Sequence, residues 1–326
     1  MSHTNQITVS VVIPSLNRPK IVTKAVYSAL EQTLKSIEVI VVVDGPDEKT
    51  VTELKKINDP RLKVKSLPKN VGCADSRNAG VSESQGKWIA FLDDDDEWMP
   101  QKLELQFAAA ERSISSYPII ASRYLEKSMS SEIFLPKRLP SIGENISKFL
   151  FVRKSLFERA ESIQTSTFFT SRDLLLKIPF TQGLRKHVDW DWLIRASNFN
   201  GVAVEVLPEA LAIRFCEAER ERISSNYNWQ FGREWIRSIK AEVNSQAYAG
   251  FFLRVLTLQA SLNKDWQAFF PLLWEAIKDG KPRLIDLVSF IFVWFFPINL
   301  RHKVRSLMVR KGKDGLSDLK LKEMIK

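Results

Sequence analysis

The chain has 326 residues, 44% hydrophobic and 26% charged, which is an ordinary globular composition with apolar material for one large domain plus an appendage or for two. Its two cysteines, Cys73 and Cys216, lie far apart and at no metal-ligand spacing, which excludes a disulfide framework and fits a reducing compartment. The net charge of +10 is concentrated at one end: Lys278 to Lys326 hold twelve Lys and Arg against five Asp and Glu, as a nucleic-acid binder or a membrane-surface tail would.

The N-terminus, MSHTNQITVSVVIP, has no basic segment followed by a long apolar one, so no signal peptide is expected. ITVSVVIP (7–14) and IEVIVVVDG (37–45) are apolar on both faces, which predicts strands buried in a parallel sheet. Between them Ile21, Val22, Ala25, Val26, Ala29 and Leu30 recur at helical spacing. A second helix is expected with Val51, Leu54 and Ile57 on one face, then a strand in RLKVKSLP, a helix in DSRNAGVSESQG and a fourth strand in KWIAFLDDDD. This alternation predicts an α/β fold with helices on both faces of the sheet.

From about Met99 the pattern loosens into helices and loops. TSTFFTSRDLLLKIPF (165–180) reads as a strand and a short helix, DWDWLIRA as a helix start, and GVAVEVLP (201–208) as another strand. Beyond about Asn226 the chain reads as helical. No internal repeat or low-complexity segment is present, and no Gly-x-Gly-x-x-Gly follows the first strand, so the dinucleotide fingerprint is missing.

Ligands of open α/β sheets bind outside the carboxyl ends of the strands. Asp44 follows IVVV there, and Asp93 to Asp96 follow WIAFL. Four adjacent carboxylates at the end of an apolar run need a counter-charge. Hard oxygen donors from separate strands suit Mg²⁺ or Mn²⁺ with a diphosphate behind it, the alternative being a solvated acidic turn. In KHVDWDWLIRA, Asp189 and Asp191 stand two apart on an expected helix and point different ways. One can cap the helix or pair with a base while the other faces the cleft; the plainer reading makes Asp189 an N-cap alone.

In this order and spacing, VSVVIPSLNR, VVVDGPDE, NVGCADSRNAGVSESQGKWIAFLDDDDEWMP and RKHVDWDWLIRAS resemble glycosyltransferase family 2. The resemblance covers roughly residues 7 to 215. It implies a GT-A fold, a Rossmann-like, mostly parallel sheet with flanking helices, and inverting transfer of a sugar from a nucleotide diphosphate to an acceptor hydroxyl. It implies a nucleotide pocket beginning at Pro14 and Ser15, with Asp44 on the nucleobase and Arg77 and Asn78 beside the nucleotide. Asp93 and Asp95 match the outer positions of the family's Asp-x-Asp. The resemblance implies Asp95 as the main ligand of Mn²⁺ or Mg²⁺, with Asp94 an alternative to Asp93 because the run of four leaves the register open. Asp189 matches the catalytic base, preceded here by Val188 where the family more often has Glu or Gln. His187 is expected to support the site or lie at the surface rather than touch a phosphate or the acceptor.

The resemblance implies a UDP-sugar donor and a glycan or lipid-linked acceptor in surface-polysaccharide or lipopolysaccharide assembly. The expected organisation is a transferase domain over 1–225, with a nucleotide-binding half (1–100) and an acceptor half (101–225), then a helical region over 226–326. Leu284 to Leu300 is short for a span and carries Asp286 and Pro297. Arg283 precedes it and Arg301, Lys303, Arg305, Arg310 and Lys311 follow, a pattern that suits a helix lying in a membrane interface; a buried helix or a dimer contact is the alternative. The protein is thus expected in the cytoplasm, peripheral at the inner face of the membrane. Arg220, Arg222 and Ser224 are expected either to meet a phosphate or to sit in a solvated loop. A nucleotidylyltransferase would want a glycine-rich loop after the first strand, and PSLNRPK has no glycine. A nucleic-acid binder would spread basic and aromatic residues over one surface. A non-catalytic scaffold would not need Asp44, Asp95 and Asp189 together.

Overall fold

The computed structural model describes residues 7–129, 131–141, 143–156, 161–216 and 228–296. The chain divides into two units, one of residues 1–146 with 161–226 and one of residues 147–160 with 227–326. Residues 147–160, expected within the first domain, thus group with the C-terminal region. Arg220, Arg222, Ser224, the end of the apolar run at 297–300 and the basic residues from Arg301 onward lie outside the described residues.

In chain order the elements are β1 (Val9–Ser15), α1 (Pro19–Leu30), β2 (Ile37–Val43), α2 (Glu48–Leu54), β3 (Leu62–Ser66), α3 (Cys73–Glu83), β4 (Trp88–Phe91) and β5 (Asp96–Trp98). There follow α4 (Lys102–Arg112), β6 (Tyr117–Lys127), β7 (Glu132–Leu135), α5 (Ile146–Phe151), β8 (Phe169–Ser171), α6 (Arg172–Lys177), α7 (Val188–Ser197) and β9 (Val202–Phe215). The remainder is helical: α8 (Trp229–Ser238), α9 (Ser245–Gly250), a π-helical stretch (Phe251–Leu256), α10 (Thr257–Leu262), α11 (Phe269–Asp279) and α12 (Leu284–Phe295).

Among the described residues nine strands form one sheet in the order β3-β2-β1-β4-β8-β6-β9-β5, with β7 on β6. Pairing is parallel among β3, β2, β1 and β4 and between β6 and β9, and antiparallel at β4–β8, β6–β8, β6–β7 and β5–β9. The sheet is therefore mixed, and parallel in the half where the both-face apolar runs of β1 and β2 predicted it. Every residue of β2 is buried. β6 and β5 were not expected: β6 mixes Ser122, Arg123 and Glu126 into its apolar run, and β5 has three residues and begins on an aspartate.

The buried sheet contains one deliberate polar cluster. Glu38 is 1% exposed. It accepts from Ser10 Oγ (2.5 Å), Lys63 Nζ (2.6 Å) and the Gln85 N–H (2.7 Å). Burial pushes its carboxyl up, but these hydrogen bonds outweigh burial and hold it below the usual range. A depressed carboxyl contributes stability that is present above its unfolded pKa, about 4.3, and lost as pH falls through the folded value. Glu38→Gln is expected to cost about 1–3 kcal/mol at neutral pH and to flatten the acid side of the stability profile, read from denaturant midpoints between pH 3 and 7.

Gly86 shows how closely β4 enters beside β1. A Cβ there would stand 2.7 Å from the Ser10 nitrogen and 2.9 Å from the Val9 carbonyl carbon, both backbone atoms that cannot step aside. Gly86→Ala is expected to lose about 1–3 kcal/mol of stability in a thermal or denaturant melt.

The second unit buries Arg254, Glu275 and Asp286. Glu275, on α11 and 3% exposed, accepts from Arg233 Nε (2.7 Å), Arg237 Nε (2.5 Å) and the Tyr248 hydroxyl (2.9 Å). Asp286, on α12 and fully buried, pairs with Arg254 at 3.0 Å and with Arg283 at 3.0 Å, and accepts from the Arg283 N–H at the start of its helix. No helix among the described residues is long and apolar enough to cross a membrane.

Candidate functional site

The carboxyl ends of β1, β2 and β4 open onto a cavity of about 320 Å³. Pro14 and Ser15 at the end of β1, Asp44 at the end of β2 and Arg77 on α3 line it. So do Asp93 to Asp96 in the turn from β4 to β5 and Asp189 on α7. Topology alone explains the convergence: parallel strands β2, β1 and β4 all end at one edge, and the loops leaving them meet there.

The aspartate run is split by environment. Asp94 is 6% exposed, accepts from Ser15 Oγ (2.8 Å) and Arg18 Nη1 (2.8 Å), and is pushed by burial up to about 6 even beside Arg18. Asp96 is 4% exposed and accepts from Ser166 Oγ (2.6 Å). Burial, with the neighbouring charges of Asp93 and Asp95, holds Asp96 well above the usual range. Asp93 and Asp95 keep more side-chain surface, 35% and 30%. Asp93 accepts from Arg77 Nη2 at 2.6 Å and Asp95 from Arg18 Nη1 at 3.1 Å. The alternation therefore puts Asp93 and Asp95 toward the cavity and commits Asp94 and Asp96 to the wall.

These two carboxylates suit a divalent cation of the Mg²⁺ or Mn²⁺ type. Among the described residues no group of three His, Cys, Asp or Glu forms a complete protein cage.

Arg77 is 5% exposed, stands 5.5 Å from the Phe180 ring and bonds Asp93. Burial opposes its charge, but Asp93 and Asp189 more than compensate and raise its pKa. Its Nε has no hydrogen-bond partner among the described residues. Asn78, expected beside the nucleotide, is used otherwise. Its amide donates to the Phe180 carbonyl (2.9 Å) and accepts from the Phe180 N–H (3.0 Å), and it is absent from the cavity wall. Asp44 is 4% exposed and accepts from the Val71 (2.7 Å) and Gly72 (2.9 Å) N–H groups. It thereby fixes the loop into α3, where Gly72 has a φ of 93°.

The paired aspartates of α7 separate as their spacing predicts. Asp191 is 1% exposed, accepts from Thr181 Oγ1 (2.6 Å) and Arg195 Nε (2.9 Å), and locks the helix to the 178–181 segment. Asp189 faces the cavity. It is not the N-cap, because His187 holds that position with a φ of 63°. Burial raises the Asp189 carboxyl above its usual value, Arg77 opposes and Asp93 reinforces the rise. His187 lies in the cavity wall, its ring stacked on Trp190 at 5.1 Å. Burial, with Lys186 beside it, pushes its pKa down to about 3, so it is neutral across the physiological range.

Four cations of the wall carry no strand-end signal. Arg18 precedes the first helix in SLNRPK and bridges Asp94 and Asp95; Arg185 and Lys186 precede α7. Arg214 sits on β9 opposite Asp96. The RKH run before the acidic pair was the readable clue to Arg185 and Lys186. Arg214 was readable only from strand pairing.

A family profile described as glycosyl transferase family 2 matches residues 10–178. An uncharacterized glycosyltransferase of Methanocaldococcus jannaschii is 30% identical over 193 residues, 57% of this chain and 63% of that protein. An Escherichia coli UDP-Glc:alpha-D-GlcNAc-diphosphoundecaprenol beta-1,3-glucosyltransferase is 33% identical over 100 residues, 31% of this chain and 40% of that protein. The chain thus spans under two thirds of these relatives. The Staphylococcus aureus TarS structure with UDP-GlcNAc superposes with a TM-score of 0.59 at 21% identity, over 88% of this chain and 90% of that one, and shows the same fold.

Proposed function

The chain belongs to glycosyl transferase family 2, and from that premise we propose that it transfers a sugar from a UDP-sugar to a hydroxyl of a lipid-linked or polysaccharide acceptor, with inversion at the anomeric carbon. The observation that carries this reading is the meeting of three acidic groups at one cavity: Asp44 from β2, Asp93 and Asp95 from the β4–β5 turn, and Asp189 from α7. UDP-GlcNAc in the TarS structure and the UDP-glucose donor of the Escherichia coli relative support a UDP donor. The diphosphoundecaprenol acceptor of that relative supports a lipid-linked acceptor and action at the inner face of the cytoplasmic membrane.

Pro14, Ser15 and Asp44 shape the nucleotide end of the cavity. A divalent cation held by Asp93 and Asp95 would neutralise the diphosphate as it leaves. Arg77 sets the charge between Asp93 and Asp189. Asp189 takes the proton of the attacking acceptor hydroxyl as that oxygen displaces the diphosphate from the opposite face of the sugar. The raised carboxyl makes Asp189 a stronger base than an ordinary aspartate, and the neutral His187 adds no charge against it.

Calorimetric titration with UDP, GDP, dTDP and CDP, each with and without Mn²⁺, tests the reading. UDP is expected to bind only with the metal. Absence of binding by any of the four to the folded protein would move the acidic turn to a structural role and favour a scaffold.

A further inference from the structure

The helical unit buries an apolar core with Arg254, Glu275 and Asp286 set in it, and it also leaves apolar residues exposed on α11 and α12. On α11 the outward residues Phe270, Trp274 and Ile277 are 76%, 66% and 52% exposed, while Leu272, Glu275 and Ala276 are buried. On α12 the outward residues Leu284, Val288, Ile291 and Phe295 are 78%, 44%, 45% and 59% exposed. Each set recurs every three or four residues and so forms one stripe. Trp266, itself 54% exposed, stands beside the α12 stripe, its ring 5.8 Å from that of Phe295. Scattered exposed apolar residues are ordinary, whereas rows of exposed aromatic and aliphatic side chains mark a contact surface.

Charge says what the surface contacts. Residues 257–296 hold four carboxylates, Asp265, Glu275, Asp279 and Asp286. Each is held within the unit: Asp265 by Trp229 Nε1 (2.7 Å), Glu275 by Arg233 and Arg237, Asp279 by Lys240 (2.8 Å), and Asp286 by Arg254 and Arg283. The exposed charges of the same stretch are Lys264, Lys278 and Lys281. The chain then continues beyond Phe296 with nine Lys and Arg against three Asp and Glu through residue 326. An apolar face, bordered by lysines, with its acids paired and a basic segment attached, complements a surface that is apolar below and anionic above.

We propose that the outer face of α11 and α12, with Trp266, docks in the interface of an anionic lipid bilayer. The aromatic rings sit among the acyl chains at the headgroup boundary, and Lys264, Lys278 and Lys281 meet the phosphates. The contact is made by a folded pair of helices rather than by the single segment Leu284–Leu300. It deepens the proposed action on a lipid-linked acceptor and rests on that part of the reading, since a docked enzyme and its acceptor share one surface.

The test is co-sedimentation of the full chain with vesicles of phosphatidylglycerol and phosphatidylcholine, and of phosphatidylcholine alone. The expected result is binding to the anionic vesicles, about tenfold or more weakened by Phe270→Glu with Trp274→Glu, weakened by Lys278→Glu with Lys281→Glu, and reduced by salt. Both positions of the first pair are exposed; a denaturant melt reports whether the variants fold, and UDP calorimetry on the same samples reports whether the transferase site stands. No sedimentation, equal sedimentation with neutral vesicles, or a soluble dimer broken by the Phe270 and Trp274 changes would overturn the proposal. Vesicle failure with UDP binding intact sinks docking alone; loss of UDP binding by the unaltered protein sinks the donor reading instead.

Discussion

Asp189→Asn is expected to lower kcat by about 10²–10⁴-fold while leaving UDP affinity close to that of the unaltered protein. The amide keeps the shape of the side chain and removes only its basicity. In the proposed reading the diphosphate is met by other groups of the cavity, and α7 keeps its anchor because Asp191 still holds Thr181 and Arg195. A rate loss with unchanged binding therefore separates proton acceptance from donor recognition. The pH profile gives a second reading. A base must be unprotonated, so activity falls as pH drops through the Asp189 pKa. Burial has raised that pKa, which places the acid limb of kcat above the range of an ordinary aspartate, about 3.9. Near-normal turnover by Asp189→Asn would remove the residue from the chemistry.

Asp286→Ala is expected to cost about 3–5 kcal/mol, measured by denaturant unfolding. Asp286 is fully buried, and the Arg254 side chain it pairs with is 2% exposed. Its removal leaves a guanidinium in the interior without this carboxylate and strips the first turn of α12 of its cap. Arg254→Met with Asp286→Leu should recover much of the loss, because it removes both fully buried charges and the remaining partner, Arg283, keeps 29% of its side-chain surface. A cost below about 1 kcal/mol for Asp286→Ala would mean that water reaches the pair.

The parts of this protein that were readable beforehand are those in which one short stretch carries its own signal. The runs of β1 and β2 are apolar on both faces and could only be buried strands. The aspartates at their sheet edge declared a charge problem, and the two-residue offset of Asp189 and Asp191 declared that they would separate. What escaped was cooperation between distant stretches. Arg214 joins the acidic turn because β9 runs antiparallel to β5. Asp44 is occupied by the Val71 and Gly72 N–H groups, and Asn78 by the Phe180 backbone, 102 residues away. The same applies to residues 147–160, whose grouping with the C-terminal helices is a matter of packing across a long separation.

The Ser10–Glu38–Lys63 cluster also acts as an address. β1 and β2 are apolar on both faces, so a slip of one residue between them would bury nearly the same surface, and hydrophobicity alone does not choose the alignment. Ser10 stands directly opposite Glu38 in the pairing. Displaced by one, Glu38 would face Val9 or Val11 and lose its hydroxyl donor inside the sheet. The aligned pairing runs on to set Ser15 against Val43, and the next N–H, that of Asp44, donates to the Ser15 carbonyl at 2.8 Å. A carboxylate five residues deep in the sheet thus determines which side chains arrive together at its edge.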